Sequence, residues 1–586
     1  MSITYLFLQP TPCFNGLQTD FKMTEYNVKL FVLVLIIGLT MLVYFNSTFP
    51  LLERTKIGNM YYSEGQYRNY SSNFYEDEKI KIPTYNSLKS TIPVPEPVFN
   101  SKGTPGSMGF TDASKTTFHI KDNNTDIHVG DFFGIIIESF DEFGRHRVLG
   151  GDFWYATIST ARCSTAAKIL DFKNGTYEAI FFAPCHGKVQ LSIILVHTVE
   201  TVSFYKHTVW SMEERKLWNA TYKVGNKEEY GLCRIHNVGV WKDKCEYPQP
   251  KAMGGSLMLC DPPSTLPCSS LYGIRSKGNV HEILSKSYTG LLTKNEDLFK
   301  RKINFGKLTN GTSTFEIMRS DPSRTFHREL LDSIERPECA PDTPEPLSDG
   351  FWYRDTWHSF ACRSRSWSRK MIGQCTSTKR LVFLGDSTTR QWCEKLLMYL
   401  HIDVPEDLSK KRYTILTDFL NLTFQFHPYV LGNGLERIGD GMFEVDFLES
   451  LPTDSCEYVI MISPWAHYEV WTKEAYLSRL EHIKAAIIAF RKKCPQAQFV
   501  IKSPHPRRHS SKSLQTFIIA RLTSDVLLYE FRRLMRETFH GMGIHYIDIW
   551  DMNLSYNSPN TIHMPLEVAI QELFIYFSHI CPELNV

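Results

Sequence analysis

Hydrophobic and polar positions fall into three textures along this chain. Leu30 to Phe45, LFVLVLIIGLTMLVYF, is sixteen residues without a charge, at the short end for crossing ~30 Å of hydrocarbon. From about 98 to 270, short runs rich in β-branched or aromatic residues are separated mostly by Gly, Asn, Asp or Pro. They are Thr116 to Ile120, Ile127 to Glu138, Phe153 to Ile158, Thr176 to Phe182 and Lys188 to Val196. Strands at that spacing predict a β-sandwich. After Gly350 strand and helix alternate. Leu381–Gly385, Tyr458–Ser463, Gln498–Ser503 and Ile544–Ile549 read as strands. Helices are expected near Thr388–Leu400, Lys473–Cys494, Ser524–His540 and Leu566–Cys581, the second with Tyr476, Leu480, Ile483, Ile487 and Phe490 on one face. This alternation predicts an α/β domain with a mostly parallel sheet, whose sites form beyond the C-terminal ends of the strands.

A length of 586 residues exceeds one ordinary core and predicts a multi-domain chain. The reading gives residues 1–29 as a cytosolic N-terminus, 30–45 as a signal anchor, 46–97 as a Tyr/Ser/Asn-rich stem, 98–270 as the sandwich, 271–349 as a connecting region and 350–586 as the α/β domain. Lys29 at the border of the apolar run favours a cytosolic N-terminus and a type II single-pass protein of the ER or Golgi membrane. Cleavage and secretion is the alternative, especially for a start at Met23, although Tyr44-Phe45-Asn46 offers no small-x-small cleavage site.

Both routes place the rest of the chain in the secretory lumen, and two features agree. Sequons occur at Asn46, abutting the membrane, and at Asn69, Asn123, Asn174, Asn219, Asn310, Asn421 and Asn553. Thirteen of fourteen cysteines follow the apolar run, none in a tight CxxC pair, so disulfides are the better reading. Cys163 with Cys185 and Cys233 with Cys245 are plausible local pairs, and an odd count leaves one thiol free or paired between chains. A net charge of +2 provides no basic field for nucleic acid. Metal-ligand spacing is absent, and no bound cofactor is expected.

Candidate chemistry centres on Ser387, in Leu381-Val-Phe-Leu-Gly-Asp-Ser-Thr-Thr-Arg-Gln-Trp392. Gly385 suits a sharp turn off the strand. Ser387 then stands at a helix N-terminus, where free N–H groups and roughly +0.5 charge favour an oxyanion. The plainer reading is that Asp386 or Ser387 caps the helix. Neither GxSxG nor GxxxxGK[ST] surrounds it, which weakens lipase-like and nucleotide-binding readings. His563, in Ser558-Pro-Asn-Thr-Ile-His-Met-Pro565, lies between the last strand and last helix, where a general base would belong.

Asp171-Phe-Lys-Asn-Gly-Thr-Tyr177 with Ala183-Pro184 and Gly187 resembles the late-strand signature of filamin-type immunoglobulin-like domains. From Gly350 onward the chain resembles the PC-esterase domain, a relative of GDSL/SGNH hydrolases. Gly385-Asp386-Ser387 matches its nucleophile block, Tyr458-Val-Ile-Met-Ile-Ser-Pro-Trp-Ala-His-Tyr468 its middle block, and Asn560-Thr-Ile-His563 its terminal Asp-x-x-His. With the apolar run and the filamin-like region, the whole chain past residue 30 resembles the neurexophilin and PC-esterase domain (NXPE) family. The resemblance implies acyl-ester chemistry on glycans or glycoproteins, with Ser387 as nucleophile and His563 as general base. Backbone N–H at Ser387, with Gly385 and Asp386 in the same turn and Gly432, Asn433 or His467 nearby, would meet the oxyanion. For a transferase, acetyl-CoA is a candidate acyl donor.

Asn560 departs from the family's Asp, and Asn cannot balance an imidazolium. The same exchange in a serine-protease triad costs on the order of 10⁴ in rate. Asp548 or Asp551 reaching the ring is one remedy, and a Ser–His dyad is another. The competing class is a silent esterase fold whose neurexophilin-like β-domain binds a protein ligand. Arg507 and Arg508, in a basic loop, are candidates for holding an anionic sugar, and Trp352 and Trp357 for stacking on one.

Overall fold

Alternating buried and exposed side chains give the first half of the chain its sheets. In Gly187–His197 the positions Val189, Leu191, Ile193 and Leu195 are all buried, the period-2 pattern of a strand with one covered face. The computed structural model describes residues 80–83 and 109–584, apart from 124–125, 214, 238–241, 249–250, 277–285, 300–303, 320–333, 405–411, 429–434, 439–440, 508–523 and 557–561. The expected anchor over 30–45 lies outside the described residues.

One sheet runs, in spatial order, Asn310–Gly311, Thr117–Ile120, Phe132–Glu138, Thr176–Phe182 and Lys168–Asp171. A seven-stranded sheet is built around Gly187–His197 and Phe153–Ser159, paired antiparallel. Ile135, Ile137, Tyr177 and Phe181 from the first and Leu191 and Ile193 from the second join one buried cluster. The Asn174-Gly175 turn before Thr176 has Gly175 at φ 88°, and a Cβ there would lie 2.0 Å from the Arg147 carbonyl oxygen. Both the left-handed backbone and the lack of space require glycine. A third sheet, six-stranded, centres on the hairpin Trp218–Val224 with Lys227–His236.

The sheet that carries the candidate site also has six strands. They are β1 (Arg380–Gly385), β2 (Arg412–Leu416), β3 (Asn421–Phe426), β4 (Tyr458–Ser463), β5 (Gln498–Lys502) and β6 (His545–Ile547), in the order β2-β3-β1-β4-β5-β6. It is mixed, because β2 pairs antiparallel to β3 while β1 lies parallel to both β3 and β4. The side chains of β1 divide between two cores, Val382 and Leu384 into one and Leu381 and Phe383 into the other. Helices α1 (Ser387–Leu400) and α4 (Leu566–Ile580) pack into the second core, and α2 (Lys473–Lys493) and α3 (Asp525–Phe539) into the first.

The expected fold class, a filamin-like β-sandwich followed by an α/β domain with a mostly parallel sheet, is corrected by these sheets. The described chain is sheet-rich, with several antiparallel sheets whose strands come from distant parts of the sequence. Gly350–Tyr353 pairs with Cys163–Ala166, Asn304–Lys307 with Gly187–His197, and Leu435–Arg437 with Leu271–Ser276. Local periodicity cannot disclose such partners, since each strand looks the same whichever edge it joins. Among the described residues, no helix is long and apolar enough to cross a membrane.

Among the described residues, six disulfides close the fold. Cys163–Cys185 forms as the spacing suggested, but Cys233 joins Cys260 and Cys245 joins Cys268, not each other. Cys233 and Cys260 face one another across antiparallel strands, a register invisible in the sequence. Among the described residues the unpaired thiol is Cys393, buried on α1, where desolvation pushes its pKa well up, so it is inert as a nucleophile.

Candidate active site

The β1–α1 junction places Ser387 beyond the C-terminal end of the sheet. Asp386, in extended backbone, is the N-cap of α1, and its Oδ1 accepts from the Thr388 N–H (2.8 Å) and hydroxyl (2.7 Å). Because Asp386 satisfies the cap, the Ser387 hydroxyl is left for other work. The second Asp386 oxygen accepts from the Ala466 N–H at 2.9 Å, tying the turn to the loop after β4. Gly385 is needed for space and not for an unusual φ. A Cβ there would sit 2.3 Å from Thr389 Oγ1 and 3.1 Å from the Ser463 carbonyl oxygen.

His563 Nε2 lies 2.9 Å from Ser387 Oγ, although 176 residues separate them. Partial desolvation lowers the imidazole pKa; nearby Arg390 and Arg507 act in the same direction, against Asp386 and Glu394. The ring is therefore neutral at neutral pH, as a general base must be.

Sequence reasoning missed the residue that sets this histidine. Gln391, one turn past Ser387 on α1, accepts from the Met564 N–H at 3.0 Å and donates to the Met564 carbonyl at 2.5 Å. Its position four residues beyond the serine was the available signal. This two-point clamp fixes the backbone next to His563. Gln391→Ala is expected to lower turnover about 10–100-fold with the fold unchanged, as small misplacements of a base do; steady-state kinetics beside a thermal melt checks it.

Behind the serine turn lies a buried polar cluster. His427 follows β3, donates its backbone N–H to the Gly385 carbonyl at 3.0 Å, and sets Nδ1 3.2 Å from Glu444. Burial alone would raise the Glu444 carboxyl, but Arg479 and His427 outweigh it and hold it at about 2. His467 sits after β4, its ring 4.7 Å from that of His427 and 5.2 Å from that of Phe426. The serine turn thus rests on the loops after both neighbouring strands.

Other expectations fare differently. Gly432, Asn433, Arg508 and Asn560 lie outside the described residues. Arg507, expected to hold an anionic sugar, is 8% exposed, its guanidinium pairs with buried Glu469, and its N–H donates to Asp525 at 3.0 Å. Asp548 is bound by Arg532 and Arg536, and Asp551 by Lys168, so neither carboxylate is available to His563. Trp352 is core, with its indole N–H on the Met552 carbonyl.

Of the sequons, Asn174 and Asn310 are exposed, Asn219 and Asn421 half-buried, while Asn69 and the Asn123 side chain lie outside the described residues. Asn553 is fully buried and donates to Glu572 and the Ile549 carbonyl, both at 2.8 Å. A glycan there is incompatible with the folded chain. Cys339, Cys362 and buried His579 come together, but the two sulfurs are joined in a disulfide, which removes the thiolates a cation would need.

Two family models match the chain. Residues 84–277 match the neurexophilin model, and residues 357–581 match that of the NXPE family member 4-like, C-terminal domain. The chain belongs to the NXPE family. Together with its six disulfides, this marks a protein of the secretory pathway.

Proposed function

We propose that this chain is an acyl-ester enzyme of the secretory pathway, adding or removing O-acyl groups, acetyl foremost, on glycans or glycoproteins. The observation that carries the reading is the 2.9 Å contact of His563 Nε2 with Ser387 Oγ at the N-terminus of α1. In the first half-reaction Ser387 Oγ attacks the acyl carbonyl carbon while His563 takes the hydroxyl proton. The bond to the leaving group breaks, and His563 returns the proton to that group, leaving an acyl-serine. In the second, His563 takes a proton from the acceptor, a sugar hydroxyl or water. The acceptor oxygen attacks the acyl-serine, and Ser387 leaves with the proton. Helix N–H groups at Ser387 would stabilise both tetrahedral oxyanions. Acetyl-CoA would serve as donor in the transfer direction.

The test is a burst assay on the purified full-length glycoprotein with p-nitrophenyl acetate, followed by acetyl transfer to or release from O-acetylated glycans. A stoichiometric burst and ping-pong kinetics are expected. The lowered His563 pKa sets the sign of the pH dependence: rate falls with acid only below the ordinary imidazole value of 6.5. Asn560 favours a second reading, a silent fold whose β-domain binds a protein ligand. Absence of any burst from folded protein would select it.

A further inference from the structure

A second site lies against α4, lined by none of the residues of the Ser387–His563 pair. It is a cavity of about 190 Å³, bounded by Arg336, Arg365, Trp357, His358, Ser366 and Gln571 among others, with no carboxylate in its lining among the described residues. We propose that it binds one anionic sugar unit, a pyranose carrying a carboxylate or sulfate.

Size, charge and shape each point there. Sites for larger ligands run to roughly 300–1,000 Å³, so this one suits a single ring with a small charged group. Arginine side chains carry a fixed positive charge and a planar fork of donors suited to carboxylate or sulfate. Arg365 donates to the carbonyls of Leu584 (2.6 Å) and Pro582 (2.5 Å), which are neutral acceptors, so these bonds hold the side chain in place without cancelling its charge. Trp357 supplies an aromatic wall, fixed by its backbone N–H donating to Gln571 Oε1 at 3.1 Å. Hydroxyls of Thr356, Ser364 and Ser366 complete a lining rich in donors. With Trp357, Phe574 and Ile575 on its apolar side and arginines and hydroxyls opposite, the cavity fits the two faces of a charged sugar better than it fits a cationic ligand. The inference does not depend on the acyl-ester reading.

Glucuronic acid and glucose differ at one position, carboxylate against hydroxymethyl, and make a matched pair for ligand-observed NMR titration of the full-length glycoprotein. Glucuronate is expected to bind at least tenfold more tightly than glucose, as a charge-assisted contact predicts. Arg336→Gln and Ser366→Asp should each weaken it at least tenfold, and Ser387→Ala should leave it unchanged. Ser366 is exposed, so its variant keeps the test valid even where Arg336→Gln unfolds. Equal binding of the two sugars, no glucuronate binding, or binding that survives Ser366→Asp in folded protein would overturn the proposal. Loss in Ser387→Ala would also overturn it, by moving the sugar to the other site.

Discussion

Ser387→Ala is expected to reduce acyl transfer and hydrolysis by about 10³-fold or more while the thermal midpoint stays within a degree or two of wild type. Ser387 is half-buried at the first turn of α1 and Asp386 holds the cap, so deleting one hydroxyl removes the nucleophile without removing the helix's N-terminal hydrogen bonds. His563→Ala should lose nearly as much, because its ring lies in hydrogen-bond contact with Ser387 Oγ. The double variant should be no slower than the worse single one, since the two act as a unit. Steady-state turnover of the three variants beside circular dichroism checks this. Additive losses would separate the histidine from the serine.

Lys168→Met should produce the largest loss of stability. Lys168 Nζ is buried and meets Asp349 and Asp551 at 2.9 Å each and Glu345 at 3.2 Å. Arg532 and Arg536 extend the cluster through Asp548. The lysine belongs to Lys168–Asp171, and Asp551 to the helix Trp550–Ser555, so the cluster joins an early strand to the last third of the chain. Removing one member of a buried charge network costs about 3–5 kcal/mol, because its partners stay buried without compensation. Desolvation, with Asp551 adding to it, already raises the Asp349 pKa well above the ordinary carboxylate value. Without Lys168 that proton is held still more tightly, so the deficit should shrink at acid pH, where the carboxylates are neutral. Denaturant unfolding at neutral and acid pH measures it. An unchanged midpoint would show the network to be dispensable.

What the sequence disclosed follows from how far each signal reaches. β1, β4, β5 and α2 were legible because a buried strand and an apolar helix face are local patterns, as Leu381–Gly385 and Tyr476, Leu480, Ile483 show. The strand Leu435–Arg437, paired with Leu271–Ser276, was not legible, since three residues carry no period. Ser387 and His563 stood out because their blocks are specific, whereas Gln391 has no motif and gains its meaning only where Met564 comes alongside. Arg507 misled for a physical reason. Its basic surroundings in the sequence suggested a charge that could hold an anionic sugar, but the side chain is buried and paired with Glu469, 38 residues earlier. Asp386 could be weighed as cap against Ser387 but not chosen until its oxygens found Thr388 and Ala466.

The central claim is that His563 activates Ser387 as a nucleophile. Its most direct measurement is covalent labelling of the purified chain with a fluorophosphonate, read by intact mass and peptide mapping, beside Ser387→Ala and His563→Ala. The account predicts one adduct per chain, on the peptide containing Ser387, lost in both variants. Folded wild-type protein that takes up no label, or that labels equally with His563 removed, would contradict it.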